Sequence, residues 1–298
     1  MDYTGEIAAL LTSVFFSFTA VIFAQASRKV GAMITNRVRL AIALIYLMLI
    51  NLILFGQPLP IGAGLDRWAW LSLSGVVGLA LGDLFLFRAY AEIGPRLGML
   101  MLSLAPVIGA IVAWVFFSET LRIGQIAGIA ITLIGIAWVI AARPATEATH
   151  QGSHGRGIVF GVLAATGQAL GLVLSKQGMT GGFSPFAGNV IRMLAATVVF
   201  WLITFAQRQA GDTLQTVRAH PNALKLLALG ALVGPVLGVS ASLLAVQHAE
   251  IGVASTLMAL PPVFLLPIGY FAFKERFGWQ TIVGTFVAMA GVAVLFLV

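Results

Sequence analysis

Cysteine is absent from the 298 residues, which excludes disulfides and thiolate metal sites. Charge is nearly as scarce. Asp, Glu, Lys and Arg together make up 9% of the chain, whereas a soluble domain keeps roughly a quarter of its residues charged. A surface that water can wet cannot be built from so few. With 60% hydrophobic residues and a mean hydropathy of +1.02, the chain suits lipid instead. Regular alternation of apolar and polar residues is also missing, which argues against a transmembrane barrel. Only Asp2 and Glu6 stand before the first apolar run, with no Lys or Arg, so that run is expected to be a retained first span.

Catalytic patterns are missing too. The chain has no His-Glu-x-x-His, no Gly-x-Ser-x-Gly elbow and no phosphate loop. An intramembrane aspartyl protease needs Gly-x-Gly-Asp, but the chain has Ala80-Leu81-Gly82-Asp83, and Asp2, Asp66 and Asp212 fall in end or loop regions. His150 and His154 sit in a polar linker. No catalytic residue, metal site or cofactor is expected, and the chain is not read as an enzyme.

What is present is a series of long apolar runs. About 20 apolar residues cross about 30 Å of hydrocarbon, and such runs occur near 5–26, 34–55, 68–90, 96–117, 123–142, 157–176, 187–207, 223–246, 252–273 and 278–298. They predict an all-α integral membrane protein of ten transmembrane helices. The net charge of +7 and pI near 10.4 come from basic residues placed mostly in the short gaps between runs. That placement points to topology, and no basic, aromatic-interleaved segment invites nucleic acid.

The longest polar stretch, Arg143 to Arg156, lies at the centre of the chain. On either side the sequence repeats. Gly82 to Gly135 resembles Gly238 to Gly291 at an offset of 156: Pro106 falls on Pro262, Glu119 on Glu275, Gly128 on Gly284 and Gly135 on Gly291. Ala91-Glu92-Ile93-Gly94 echoes Ala249-Glu250-Ile251-Gly252, and Asn36 and Arg39 match Asn189 and Arg192 at an offset of 153. The division expected is a first repeat over 1–142, a linker over 143–156 and a second repeat over 157–298. Five spans is an odd number, so the second repeat enters the membrane from the opposite side. Such inverted repeats recur in secondary transporters, with the substrate near mid-membrane between them. Of the 17 basic residues, only Arg67, Arg122 and Lys176 fall in loops on the side of the termini. Counted by the positive-inside rule, this places both termini outside the cytoplasm.

Asp83 is the one acidic residue deep within a span, where a charge costs about 2.5–3.5 kcal/mol on the insertion scale. It either meets a substrate ammonium or a proton, or pairs with Arg39, Arg192 or Lys176. Arg39 and Arg192 offer a fork of donors to a substrate carboxylate, or snorkel to the interface. Gln168 lies among Gly161, Gly167 and Gly171, where backbones can approach closely. With Ser17, Ser103 and Ser242 from the other apolar runs, these residues make up the candidate substrate-binding set. Pro106, Pro261 and Pro262 are candidate helix breaks and gates, because proline frees a backbone carbonyl that only protein or a water-filled cavity can satisfy. Glu119 and Glu275 suit helix N-termini. Gly124, Gly128 and Gly135, echoed by Gly278, Gly284 and Gly291, suit tight scaffold contacts between spans five and ten.

Taken together, Ala105-Pro106-Val107, Glu119, Gln125, Gly128 and Gly135, repeated as Pro262-Val263, Glu275, Gln280, Gly284 and Gly291, resemble the drug/metabolite transporter superfamily and its EamA-type ten-helix exporters. The likeness covers nearly the whole chain and, by overall similarity, extends to YddG-like amino-acid exporters. It implies a basket in which spans one, three, four, six, eight and nine surround a cavity, with spans five and ten outside. It also implies export of amino acids, aromatic ones among them, or of related small metabolites. The chain is further expected to be a monomer in the cell inner membrane, with a proton as candidate coupling ion. It implies cytoplasmic termini, against the charge count. A multidrug exporter for apolar cations and a non-transporting membrane scaffold are the alternatives.

Overall fold

A computed structural model describes residues 3–117, 122–141, 153–249, 254, 257–273 and 277–297, and the regular elements among them are all helical. Helix α1 (Thr4–Val30) turns through Gly31 into α2 (Ala32–Phe55). Gly31 has φ 84, a left-handed conformation that favours glycine. α1 runs past the apolar stretch at its C-terminal end, where Arg28 and Lys29 suit the negative end of the helix dipole. α3 (Leu65–Ser74) leads through a π-helical segment, Gly75–Gly82, into α4 (Asp83–Leu102), and then come α5 (Leu104–Phe117) and α6 (Ile123–Ala141). The second part of the chain supplies α7 (His154–Gly178), α8 (Pro185–Ala206), a short α9 (Ala210–Ala219) and α10 (Pro221–Ala231). A second π-helical segment, Leu232–Gly238, then leads to α11 (Val239–His248), α12 (Pro261–Phe273) and α13 (Trp279–Leu297).

Among the described residues, seven helices are long and apolar enough to cross a membrane, among them Leu65–Leu102 and Pro221–His248. Large apolar side chains face outward on several of them, including Ile53 at 81% exposure and Leu202 at 62%. Exposed apolar surface on this scale is stable only against lipid. The chain is a multi-pass membrane protein.

Residues 65–102 do not form one straight rod. Gly94 (φ 79, ψ 166) breaks α4 just before Pro95, in the gap between the expected third span, 68–90, and fourth, 96–117. The two π segments correspond at the repeat offset, Gly82 falling on Gly238 and Gly78 on Gly234. Their place was not foreseen, because Gly75–Gly82 is as apolar as any ordinary helix.

The prolines also differ from expectation. Pro106 is the third residue of α5, while Pro261 and Pro262 open α12. The chain breaks beforehand, at Ser103 and around Ala259–Leu260, and each helix then resumes on its prolines. In a first helical turn the missing N–H costs nothing, since that donor has no intrahelical partner there. The break is a clean interruption rather than a mid-helix kink.

The packing pattern occurs twice. α7 lies along α3, the first π segment and α4, while α1 lies along α10, the second π segment and α11. Each part's first helix therefore covers the other part's third. α6 and α13 pair with each other, Gly135 against Ala288 and Gly291 against Thr132. Glu119, Glu250, Glu275 and most of the linker lie outside the described residues.

Candidate functional site

The π segments create the site. A shift from i+4 to i+5 bonding re-aims carbonyls away from the helix axis, and polar side chains of α2 meet them. Asn36 donates through Nδ2 to the Ala80 carbonyl at 2.8 Å. Arg39 donates through Nη2 to the Leu79 carbonyl at 2.9 Å and through Nε to Asn36 Oδ1 at 2.9 Å. Both residues are buried among the apolar side chains of α2 and the π segment. The second part repeats the device: Asn189 of α8 donates to the Pro235 carbonyl at 2.7 Å and to Ser240 Oγ at 3.1 Å.

Asp83 follows the first π segment and is 8% exposed. Its Oδ2 accepts from Arg39 Nη2 at 2.5 Å, and its Oδ1 accepts from Gln168 Nε2, on α7, at 2.6 Å. Phe23 and Phe87 stand 5.8 and 5.0 Å from the Arg39 guanidinium and shield it further. α7 reaches so close because glycines meet on both sides. A Cβ at Gly167 would lie 2.7 Å from Gly82 Cα, and one at Gly171 would lie 2.9 Å from Gly78 Cα. Ser74 Oγ bonds the Gly171 carbonyl at 2.6 Å in the same seam. One carboxylate thus ties α2, α4 and α7 together.

Arg192 stands beside this cluster on α8, 5% exposed, with its own backbone against Gly75. It is within electrostatic reach of Asp83. Among the described residues its Nε has no hydrogen-bond partner.

Of the candidate residues, Asp83, Arg39 and Gln168 are in direct contact, and Arg192 is adjacent. The serines are placed elsewhere. Ser103 bonds Met99 of its own helix at 3.5 Å, and Ser242 bonds Val239 at 2.7 Å. Ser17 reaches the carbonyls of Ser13 at 2.6 Å and Pro261 at 3.4 Å, and Ser13 donates to the Leu257 carbonyl. Leu257 lies just before the break, and its carbonyl also accepts from the Leu260 amide at 3.4 Å. That carbonyl is therefore occupied. Asn36 and Asn189 carried a readable signal, a polar pair at matching repeat positions, but no role was assigned to them.

Among the described residues, two of the clefts lie at helix ends. One of about 440 Å³ lies at the α1–α2 turn and is lined by Gly31, Arg37, Arg88, Gln209 and Asp212, among others. Arg37 ties α9 to α2 there, bonding Thr213 at 2.8 Å and Gln209 at 2.5 Å. The other, about 320 Å³, is lined by Asp66, Arg67, Trp70 and Gln177. Neither is lined by the Asp83 cluster, in which Arg39 and Asp83 are buried and Gln168 is half-buried.

Taken together, the fold and site define a multi-pass helical membrane protein of two repeats whose polar groups gather where the repeats meet. The EamA-like transporter family matches the chain over residues 3–141 and again over 155–297, and the chain belongs to that family. It is similar in fold to a solved structure described only as "Crystal structure of protein", at a TM-score of 0.65 and 15% identity, over 100% of this chain and 98% of that one. No curated protein matches it.

Proposed function

We propose that this protein is a secondary transporter that exports amino acids, aromatic ones among them, or related small metabolites across a cell inner membrane. It works as a monomer by alternating access. Membership of a transporter family supports the class. The observation that carries the mechanism is the cross-packing of α1 and α7, with the buried Asp83–Arg39–Gln168 cluster at one of the two contacts. A carboxylate and a guanidinium held deep in apolar helices mark a pathway or a switch more often than simple packing.

In this reading the chain forms ten spans as two inverted five-helix repeats, 1–142 and 157–298, joined by the linker 143–156. The two repeats rock about the glycine seam. The Asp83 ion pair is the contact that reforms in the closed state, and Arg192 and Gln168 meet the substrate's polar head. The breaks before α5 and α12 let those helices bend as the gate opens, with Ser13 and Ser17 holding the second break. A proton is the candidate coupling ion.

The test is flux. Purified protein in liposomes should move at least one amino acid faster than protein-free vesicles do, and repeating the screen with a pH gradient determines whether protons drive it. No flux for any amino acid defeats the substrate claim. The buried Asp83–Arg39 pair favours one second reading, a non-transporting scaffold, which predicts no flux of any solute under any gradient.

A further inference from the structure

The two repeats place the same pair of side chains in different states. In the first, Arg39 Nε donates to Asn36 Oδ1 at 2.9 Å, and the guanidinium goes on to pair with Asp83. In the second, the matching residues are Arg192 and Asn189, and among the described residues both Arg192 Nε and Asn189 Oδ1 are buried without a partner. At the repeat offset of 156, the position of Asp83 is held by Val239. The second arginine therefore has no carboxylate of its own.

Charge leads the same way. The cluster holds two guanidiniums, Arg39 and Arg192, and the one carboxylate that both feel is Asp83, which is already bonded to Arg39 and Gln168. A buried charge without a counter-charge is costly in a low-dielectric interior. A ligand that brings a negative group removes that cost, and one that brings only a positive group adds to it. An arginine fork also fits a carboxylate with two parallel bonds.

We infer that Arg192, with Asn189 beside it, is the subsite for the carboxylate of the transported molecule, filling in the second repeat the place that Asp83 fills in the first. Asn189 Oδ1 is an acceptor suited to a neighbouring ammonium. The substrate is then a carboxylate-bearing molecule, α-amino acids included, and apolar cations are excluded. This rests on the transport reading above and deepens it.

Three probes separate the chemistry: L-phenylalanine carries both groups, 3-phenylpropionate only the carboxylate and phenethylamine only the ammonium. Binding to the detergent-solubilised protein is read by thermal shift, and movement by flux into liposomes. Phenylalanine and phenylpropionate should raise the melting temperature and compete for flux, and phenethylamine should do neither. Arg192→Gln should lower carboxylate flux at least tenfold. Val239→Asp should give Arg192 an internal partner, preserving the monodisperse peak and melting temperature while abolishing the phenylpropionate shift. Phenethylamine binding or moving as well as phenylalanine, or flux in Arg192→Gln within twofold of wild type, overturns the inference while leaving transport standing. A carboxylate shift with no flux of any probe, nor of any amino acid in the screen above, keeps the subsite and overturns the transport reading instead.

Discussion

Replacing Asp83 by alanine should lower stability far more than replacing both members of its ion pair. The substitution removes the 2.5 Å bond to Arg39 and the 2.6 Å bond to Gln168. Arg39, 2% exposed, keeps Asn36 and the Leu79 carbonyl but loses its counter-charge. Breaking a buried pair by removing one partner costs about 3–5 kcal/mol, and the Gln168 amide adds about 1 kcal/mol if it finds no water. At about 2 °C per kcal/mol for a chain of this size, the melting temperature in detergent should fall by about 6–12 °C. Arg39→Met alone should cost somewhat less, because an isolated carboxyl can take up a proton. The double variant removes both charges together and should lie within about 4 °C of wild type. The assay is tryptophan fluorescence or loss of the monodisperse peak on heating, measured at one scan rate because such unfolding is irreversible. Single variants that both melt within 2 °C of wild type, or a double variant that falls by the sum of the singles, would refute the coupling.

Other outcomes follow from the packing. Gly167→Ala forces a methyl against the Gly82 backbone, where its Cβ would lie 2.7 Å from Cα, and should cost about 1–3 kcal/mol and slow transport. Gly155→Ala on the same helix meets nothing within 4 Å and should change neither melting nor flux. Gly135→Ala, whose Cβ would lie 2.4 Å from the Ala288 amide, should lower melting by a similar amount but leave flux per folded molecule unchanged, since α6 and α13 pack chiefly on each other, away from the Asp83 cluster. Ser13→Ala removes the side-chain donor to the Leu257 carbonyl at the α12 break and leaves it only the 3.4 Å bond from the Leu260 amide. It should cost about 1–3 kcal/mol, read as earlier melting and faster hydrogen exchange in α12.

The sequence showed the apolar runs, the repeat at offset 156 and the isolated carboxylate of Asp83, because each is a property of residue type and spacing. Arg39 was one of three basic partners open to Asp83, and spacing alone cannot choose among them. The choice depends on the π segment, which brings Leu79, Ala80 and Asp83 to the same face toward α2. That segment is hidden in the composition, since Gly75–Gly82 differs from a straight helix only in which carbonyl each amide meets. Proline positions were legible but their effect was displaced: the breaks at Ser103 and Ala259 come before the prolines, which then open or nearly open the next helix. The α9 helix went unread because its polar composition resembles a loop, and it is held in place by Arg37 from a distant part of the chain. The difference between Arg39 and Arg192 needed both the repeat and the coordinates, since the two residues look equivalent until their partners are compared.

Alternating access is tested most directly by the one thing the chain lacks. With no native cysteine, Ser17→Cys introduces a single thiol. It lies at the middle of the 27-residue α1, about 20 Å from either end and fully buried. In liposomes a membrane-impermeant thiol reagent should label this introduced thiol slowly when added to either face, at rates that change when a transported amino acid is present. Labelling from one face only, or no labelling from either while flux proceeds, would contradict a pathway that opens in turn to the two sides.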